Sequence, residues 1–157
     1  KKIPVRILLD NVRSMNNVGS CFRTCDAFLI EKIYLIGITA TPPHREIHKT
    51  ALGATETVDW EYKKNPEDIL KKLKSDNWKI ILIEQTNKSI ALNKFDPKKS
   101  DKYCFIFGNE VFGINDKILS NGDLSIEIPQ FGTKHSINIA VSIGIVMWDY
   151  FIKTISK

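Results

Sequence analysis

Cysteine is scarce in this chain: Cys21, Cys25 and Cys104 are the only three in 157 residues. An odd, small number excludes a disulfide-stapled scaffold and makes a reducing, cytoplasmic setting the expectation. Long apolar runs are missing as well. The longest tract, 137–152, is broken by Asn138, Ser142 and Asp149, which is short of the ~20 apolar residues of a membrane span. The opening Lys1-Lys2-Ile3-Pro4 has neither the apolar stretch nor the small-residue cleavage site of a secretory leader. It also lacks an initiating methionine, so a preceding segment stays open. Repeats, linkers and low-complexity stretches are absent. With 43% hydrophobic residues, the chain reads as one folded domain over 1–157 without substantial extensions, not as a disordered tail.

Common nucleotide and metal signatures are lacking too. No G-x-G-x-x-G follows a strand. Gly108 to Gly113 has P-loop glycine spacing, but Ile114-Asn115 follow where Lys and Ser/Thr are required. His44 and His48 stand four apart with Glu46 misplaced for a zinc-protease helix, and no third ligand is evident, so no metal is expected. These two histidines read better as flanking a loop near a polyanion.

What is present is uneven charge. The formal net charge is +5, with +4 in residues 1–50, +2 in 51–100 and −1 in 101–157. A basic first third suits a polyanion such as nucleic acid, although solvated surface lysines give the same count.

Apolar runs at Val5–Asp10, Ile33–Gly37, Lys79–Glu84, Tyr103–Phe107 and Leu124–Ile128 read as strands, with a shorter one at Thr57–Trp60. Between them, Val18–Leu29 fits a helix capped by Asn16 or Asn17, with Cys21 and Cys25 on its buried face. A short helix fits His44–Ala51. Another follows Pro66 to about Ser75 with Asn65 as cap, and a last one runs from Ile137 to about Thr154. Trp60, Trp78 and Trp148 read as packing residues. Strands apolar on both faces and alternating with helices predict an α/β fold, a mostly parallel sheet with helices on both faces.

Ligands of such sheets bind beyond the carboxyl ends of strands, and polar residues gather there. The first cluster is Asn17-Val-Gly-Ser-Cys-Phe-Arg23. Arg23, read in the second helical turn, can fork onto a phosphate near the helix N-terminus, or pair with Asp26 or Asp10. Gln85, Thr86 and Asn87 follow the Lys79–Glu84 strand. Gly108-Asn-Glu-Val-Phe-Gly113 is the next cluster, with Glu110 available to orient Arg23 or bind a ligand. The last is Ile128-Pro-Gln-Phe-Gly-Thr-Lys-His135-Ser136-Ile137-Asn138, in which Ser136 fits a helix cap and Asn138 a buried first-turn amide needing partners.

In order and spacing, Leu9–Thr24, Phe105–Ile114 and Ile128–Ser142 resemble the three motifs of the SpoU/TrmH-type branch of the SPOUT RNA methyltransferases, and Lys49–Ala54 is similar too. The resemblance runs from Ile7 to about Tyr150. It implies a SPOUT-type fold with a C-terminal trefoil knot and a homodimer whose active site is shared between subunits. The implied reaction moves a methyl group from S-adenosylmethionine to a ribose 2′-hydroxyl of RNA. Carried over, Arg23, Asn17, Glu110, Ser136 and Asn138 form the catalytic cluster, and Thr86, Gly108, Ile128 and Ile137 hold the cofactor. Gln130 departs from the more common Met and Ile137 from the more common Leu; neither change removes a group the reaction needs. The RNA expected is tRNA, with rRNA as the alternative and a non-catalytic RNA-binding domain as a further one.

Overall fold

The computed structural model describes residues 1–134 and 136–154, so His135 of the third motif lies outside the described residues. Seven strands are found: β1 (Ile3–Asp10), β2 (Ile30–Ile36), β3 (Asp59–Lys63), β4 (Trp78–Ile83), β5 (Ile90–Ala91), β6 (Lys102–Phe107) and β7 (Leu124–Glu127). They form one sheet in the order β3-β2-β1-β6-β4-β7-β5. Every pairing is parallel. The helices are α1 (Met15–Ala27), α2 (Arg45–Ala51), α3 (Glu67–Ser75), α4 (Asp116–Leu119) and α5 (Ile139–Thr154).

Strand alternation divides the core into two layers. Val5, Ile7 and Leu9 of β1 point to one face with Phe105, Phe107, Ile33 and Leu35, and meet Phe22 of α1, Ile47 of α2 and Met147 of α5. Leu8, Ile36, Ile80, Leu82 and Ile106 point to the other face, against Ile69, Leu70 and Leu73 of α3 and Ile118 of α4. The expected architecture, a parallel sheet covered on both faces, is therefore present. Cys21 and Cys25 are buried in α1 with their sulfurs 3.9 Å apart, in the packing role read from their spacing.

Several boundaries differ from the sequence reading. Helix α1 starts at Met15, not Val18, because Ser14 is its cap: its Oγ accepts the Asn17 N–H at 3.2 Å. Asn16 and Asn17 are thus first-turn residues, and Arg23 falls in the third turn. Helix α3 is capped by Pro66 without a side-chain bond from Asn65. Strand β3 lies at Asp59–Lys63 instead of Thr57–Trp60. The two-residue β5 and four-residue α4 are too short to carry a readable period. Helix α5 begins at Ile139, and among the described residues no helix is long and apolar enough to cross a membrane.

The order β1-β6-β4-β7 puts four consecutive strand ends side by side. Their following loops, 11–14, 108–115, 84–89 and 128–138, therefore share one rim of the sheet.

Candidate active site

The 108–114 loop is the centre of this rim. Asn109 and Gly113 exchange two backbone bonds, 3.0 and 2.9 Å, closing a tight ring after β6. Inside it, Asn109 Oδ1 accepts the N–H of Val111 and Phe112 at 2.8 and 2.9 Å, while its Nδ2 donates to the Asn11 carbonyl at 2.7 Å. Glycine is required where the ring closes: a Cβ on Gly108 would lie 2.3 Å from the Gly113 carbonyl carbon, inside any van der Waals contact. Glu84, at the end of β4, supports the loop from below by accepting the Ile114 N–H at 2.8 Å.

Glu110 faces α1. Its carboxylate accepts the backbone N–H of Arg13 at 3.1 and 3.0 Å and that of Ser14 at 3.1 Å. Burial opposes its ionisation, but these N–H groups, its own N–H and the Asn17 side chain outweigh it and hold the carboxyl below the usual Glu range. An anion at the first N–H groups of a helix also complements the positive helix end. Within the chain, among the described residues, Glu110 makes no hydrogen bond or ion pair with Arg23; it anchors the start of α1 and so sets the position of Asn17.

Helix α5 enters from the opposite side. Its cap is Asn138, not Ser136: Asn138 Oδ1 accepts the N–H of Ala140 and Val141 at 2.8 and 3.3 Å. This corrects the expectation of a buried first-turn amide, because Asn138 is exposed and precedes the helix. Its Nδ2 donates to Asn17 Oδ1 at 3.4 Å. The first and third motifs, 121 residues apart, thus touch through two amides.

Around that contact is a cavity of about 360 Å3, walled by Asn17, Glu84, Gly108, Glu110, Ser136, Ile137 and Asn138, with Ile83, Phe107 and Ile139 as apolar lining. A second cavity, about 330 Å3, adjoins it through Ile83, Glu84 and Ser142 and is bounded by Gln85, Ile128 and Gln130. Four of the five expected catalytic residues and three of the four expected cofactor residues line this pair. Thr86 does not. It closes the 86–89 turn, accepting the Lys88 N–H on its hydroxyl at 3.2 Å. Glu84 and Ser142 were missed by sequence reasoning as site residues, whereas Asn109 stood in the 108–113 cluster without a role. An acid ending the apolar β4 was the available signal for Glu84.

Arg23 stands apart. It is exposed in a surface groove of about 600 Å3 with Ser20, Lys49, Thr50 and Gly144. Neither expected carboxylate engages it: Asp26 accepts the Thr57 hydroxyl, and Asp10 accepts the Asn115 N–H and the Asn11 amide. As the ninth residue of α1, it sits ~12 Å along the axis from the helix start at 1.5 Å per residue, too far to share the positive end.

Residues 4–148 match the SpoU rRNA Methylase family. Among curated relatives, a 23S rRNA (guanosine-2'-O-)-methyltransferase of Neisseria meningitidis is 28% identical over 144 residues, covering 92% of this chain and 56% of that protein. A tRNA (guanosine(18)-2'-O)-methyltransferase of Borreliella burgdorferi is 25% identical over 146 residues, covering 93% and 65%. This chain thus spans a little over half to about two thirds of these relatives' lengths. Among solved structures, an AdoMet-bound rRNA methyltransferase from Sinorhizobium meliloti superposes with a TM-score of 0.88 at 24% identity, over 96% of this chain and 57% of that one. The A. aeolicus TrmH/SpoU tRNA modifying enzyme gives 0.86 at 23% identity, over 98% and 76%. The fold is theirs, and with the family match extending over nearly the whole sequence, the chain belongs to the SpoU rRNA methylase family.

Proposed function

We propose that this chain is an S-adenosylmethionine-dependent RNA methyltransferase that methylates a ribose 2′-hydroxyl of tRNA. The observation that carries this reading is the Asn17–Asn138 contact at the mouth of the paired cavities. Relatives acting on rRNA as well as tRNA support a second reading, in which the substrate is rRNA.

The residues present fit the cofactor. Gly108 lets the 109–113 ring close tightly at the cavity wall, Ile83, Ile137 and Ile139 offer apolar surface for an adenine, and Glu84 and Glu110 provide carboxylates for a cationic ligand. The bound cofactor supplies a methyl group already activated on a sulfonium. What the chain must add is alignment of the hydroxyl, which is the larger part of such catalysis. The Asn17 and Asn138 amides, with Ser136 beside them, hold the ribose. As the ribose oxygen takes up the methyl group, its proton would pass to a phosphate oxygen or water. A guanidinium, charged below pH ~12, is not that base; Arg23 clamps the neighbouring phosphate.

Arg23 reaches this site from a second copy. Val141, Ile145 and Trp148 form one stripe on α5 and are 51%, 37% and 54% exposed, an apolar surface that suits a symmetric dimer. Trp148 is stacked on Phe151 at 6.2 Å and tilted against Phe28, so the packing read from its sequence is made at the surface. The Arg23 groove runs to Gly144 of the same helix. Docking two α5 faces carries Arg23 of the partner subunit toward the Asn17–Asn138 pair. The reading includes a trefoil knot at the C-terminal side, supported by β7 lying between the earlier strands β4 and β5, and a cytoplasmic location.

Methyl transfer from labelled S-adenosylmethionine to separated, unmodified tRNA and rRNA tests the function. Label in tRNA supports the first reading and label in rRNA the second. Cofactor binding by dialysis without label in either RNA argues against catalysis by this chain alone, and no binding favours a non-catalytic RNA-binding domain.

A further inference from the structure

A further concavity, about 490 Å3, lies behind the 109–113 ring and shares Asn109 and Gly113 with the cavity around Asn17 and Asn138 as a common wall. Its rim is apolar and exposed. Phe112 is 86% exposed, the adjacent Val111 68% and Ile38 64%. Mobility of a loose loop does not explain this, since Asn109 Oδ1 pins both the Val111 and the Phe112 N–H and the ring is closed on both sides. The loop is built to hold an aromatic side chain in solvent.

Most polar atoms at the floor of the concavity are engaged within the protein. The Asn11 amide bonds Asp10 and the Ile38 N–H. Asn109 Oδ1 is taken by the ring and its Nδ2 donates to the Asn11 carbonyl, and Asn115 Oδ1 caps α4 through the Lys117 N–H. Asp10 is buried and occupied by Asn11 and Asn115. Above this floor stand an aromatic face, an aliphatic side chain and Arg13, whose exposed guanidinium makes no hydrogen bond or ion pair among the described residues. A flat π-surface beside a free guanidinium is the combination on which unpaired bases stack while the cation takes the adjoining phosphate. The net charge of +4 in residues 1–50, where Arg13 sits, matches a polyanionic occupant.

We propose that Phe112, with Ile38 and Arg13, is a stacking site for an unpaired nucleobase neighbouring the methylated nucleotide. This rests on the reading of the chain as an RNA methyltransferase and narrows its substrate: the target must lie in a loop or other single-stranded stretch, because a base held in a duplex cannot splay onto Phe112. Phe112 is then a substrate-positioning residue.

The test uses the RNA, unmodified tRNA or rRNA, to which the wild-type protein transfers methyl groups. Filter binding and the KM for RNA are measured for wild type, Phe112→Ala and Phe112→Trp, with thermal unfolding alongside. Phe112→Ala is expected to weaken RNA binding by roughly 5- to 150-fold, the range for losing one base–aromatic stack. Phe112→Trp is expected to retain it, and neither variant should shift the melting temperature, since the side chain is exposed. RNA binding and KM equal to wild type in Phe112→Ala, with methyl transfer intact, would overturn the stacking site and leave the proposed function standing. A wild-type protein that neither binds nor methylates RNA overturns both.

Discussion

Replacing Glu110 by Gln removes one charge while keeping the side-chain shape. In the structure the carboxylate accepts the Arg13 and Ser14 N–H groups at 3.0–3.1 Å and steadies the first turn of α1. A hydrogen bond to a charged group contributes about 1.5–3 kcal/mol, and a carboxylate at a helix start about 0.3–1 kcal/mol at exposed sites. Glu110 is partly exposed, so solvent reduces the first figure, and one oxygen of Gln still accepts. The net loss expected is about 1–2 kcal/mol. At roughly 2–4 °C per kcal/mol for a domain of this size, Tm should fall by about 2–8 °C at pH 7. The pH dependence identifies the cause. The folded-state pKa of Glu110 lies below its ordinary value. Its stabilisation is therefore complete above the unfolded pKa of about 4.3 and is lost as pH falls through the lower folded value. The Tm gap between wild type and Glu110→Gln, followed by circular dichroism, should stay constant from pH 7 to about 5 and close in stronger acid. A gap absent at neutral pH, or one that persists undiminished in acid, would refute the anchoring role.

The other cavity walls give sharper substitutions. Gly108→Ala drives a Cβ to 2.3 Å from the Gly113 backbone, so the 109–113 ring must move; calorimetry should show cofactor binding reduced at least tenfold, with about 1–3 kcal/mol lost in stability. Asn138→Ala removes the α5 cap and should cost about 0.5–2 kcal/mol, whereas Asn138→Asp keeps the cap but cannot donate to Asn17. Activity lost in both variants, with stability lost only in the first, separates the two roles of this side chain. Trp148→Asp puts a charge on the α5 stripe; sedimentation at micromolar concentration should change from dimer to monomer, and methyl transfer should disappear with the helical signal intact. Arg23→Lys keeps the charge but not the fork, so turnover near the wild-type level would contradict the phosphate clamp.

The strands and polar clusters were legible because the apolar runs end abruptly in Asp, Gly, Glu or Pro at the same rim of the sheet. Cap positions were less so. Ser14, Asn16 and Asn17 are all good caps, and the choice among them is reinforced by Glu110, 96 residues from Ser14 in sequence. Ser136 and Asn138 posed the same ambiguity two residues apart. Helix α5 is apolar around most of its circumference apart from the Ser142–Asp149–Lys153 side, so its sequence does not say which apolar stripe lacks neighbours; only the assembled core reveals Val141, Ile145 and Trp148 outside it. Arg23 was legible as a residue of the first motif but not as one remote from the cavity, since its position depends on where α1 begins and on what docks against α5. Glu84 was hidden by its place at the end of a buried strand, where an acid reads as the start of a loop.

Alkaline hydrolysis of RNA labelled by this protein with S-adenosylmethionine tests the central claim most directly. A methyl group on a ribose 2′-oxygen removes the nucleophile that cleaves the adjoining phosphodiester, so the account predicts label in alkali-stable dinucleotides, and none when Arg23 is replaced by Ala. Label released in mononucleotides would mean a base had been methylated and would contradict the ribose-directed site built here from Asn17, Ser136 and Asn138.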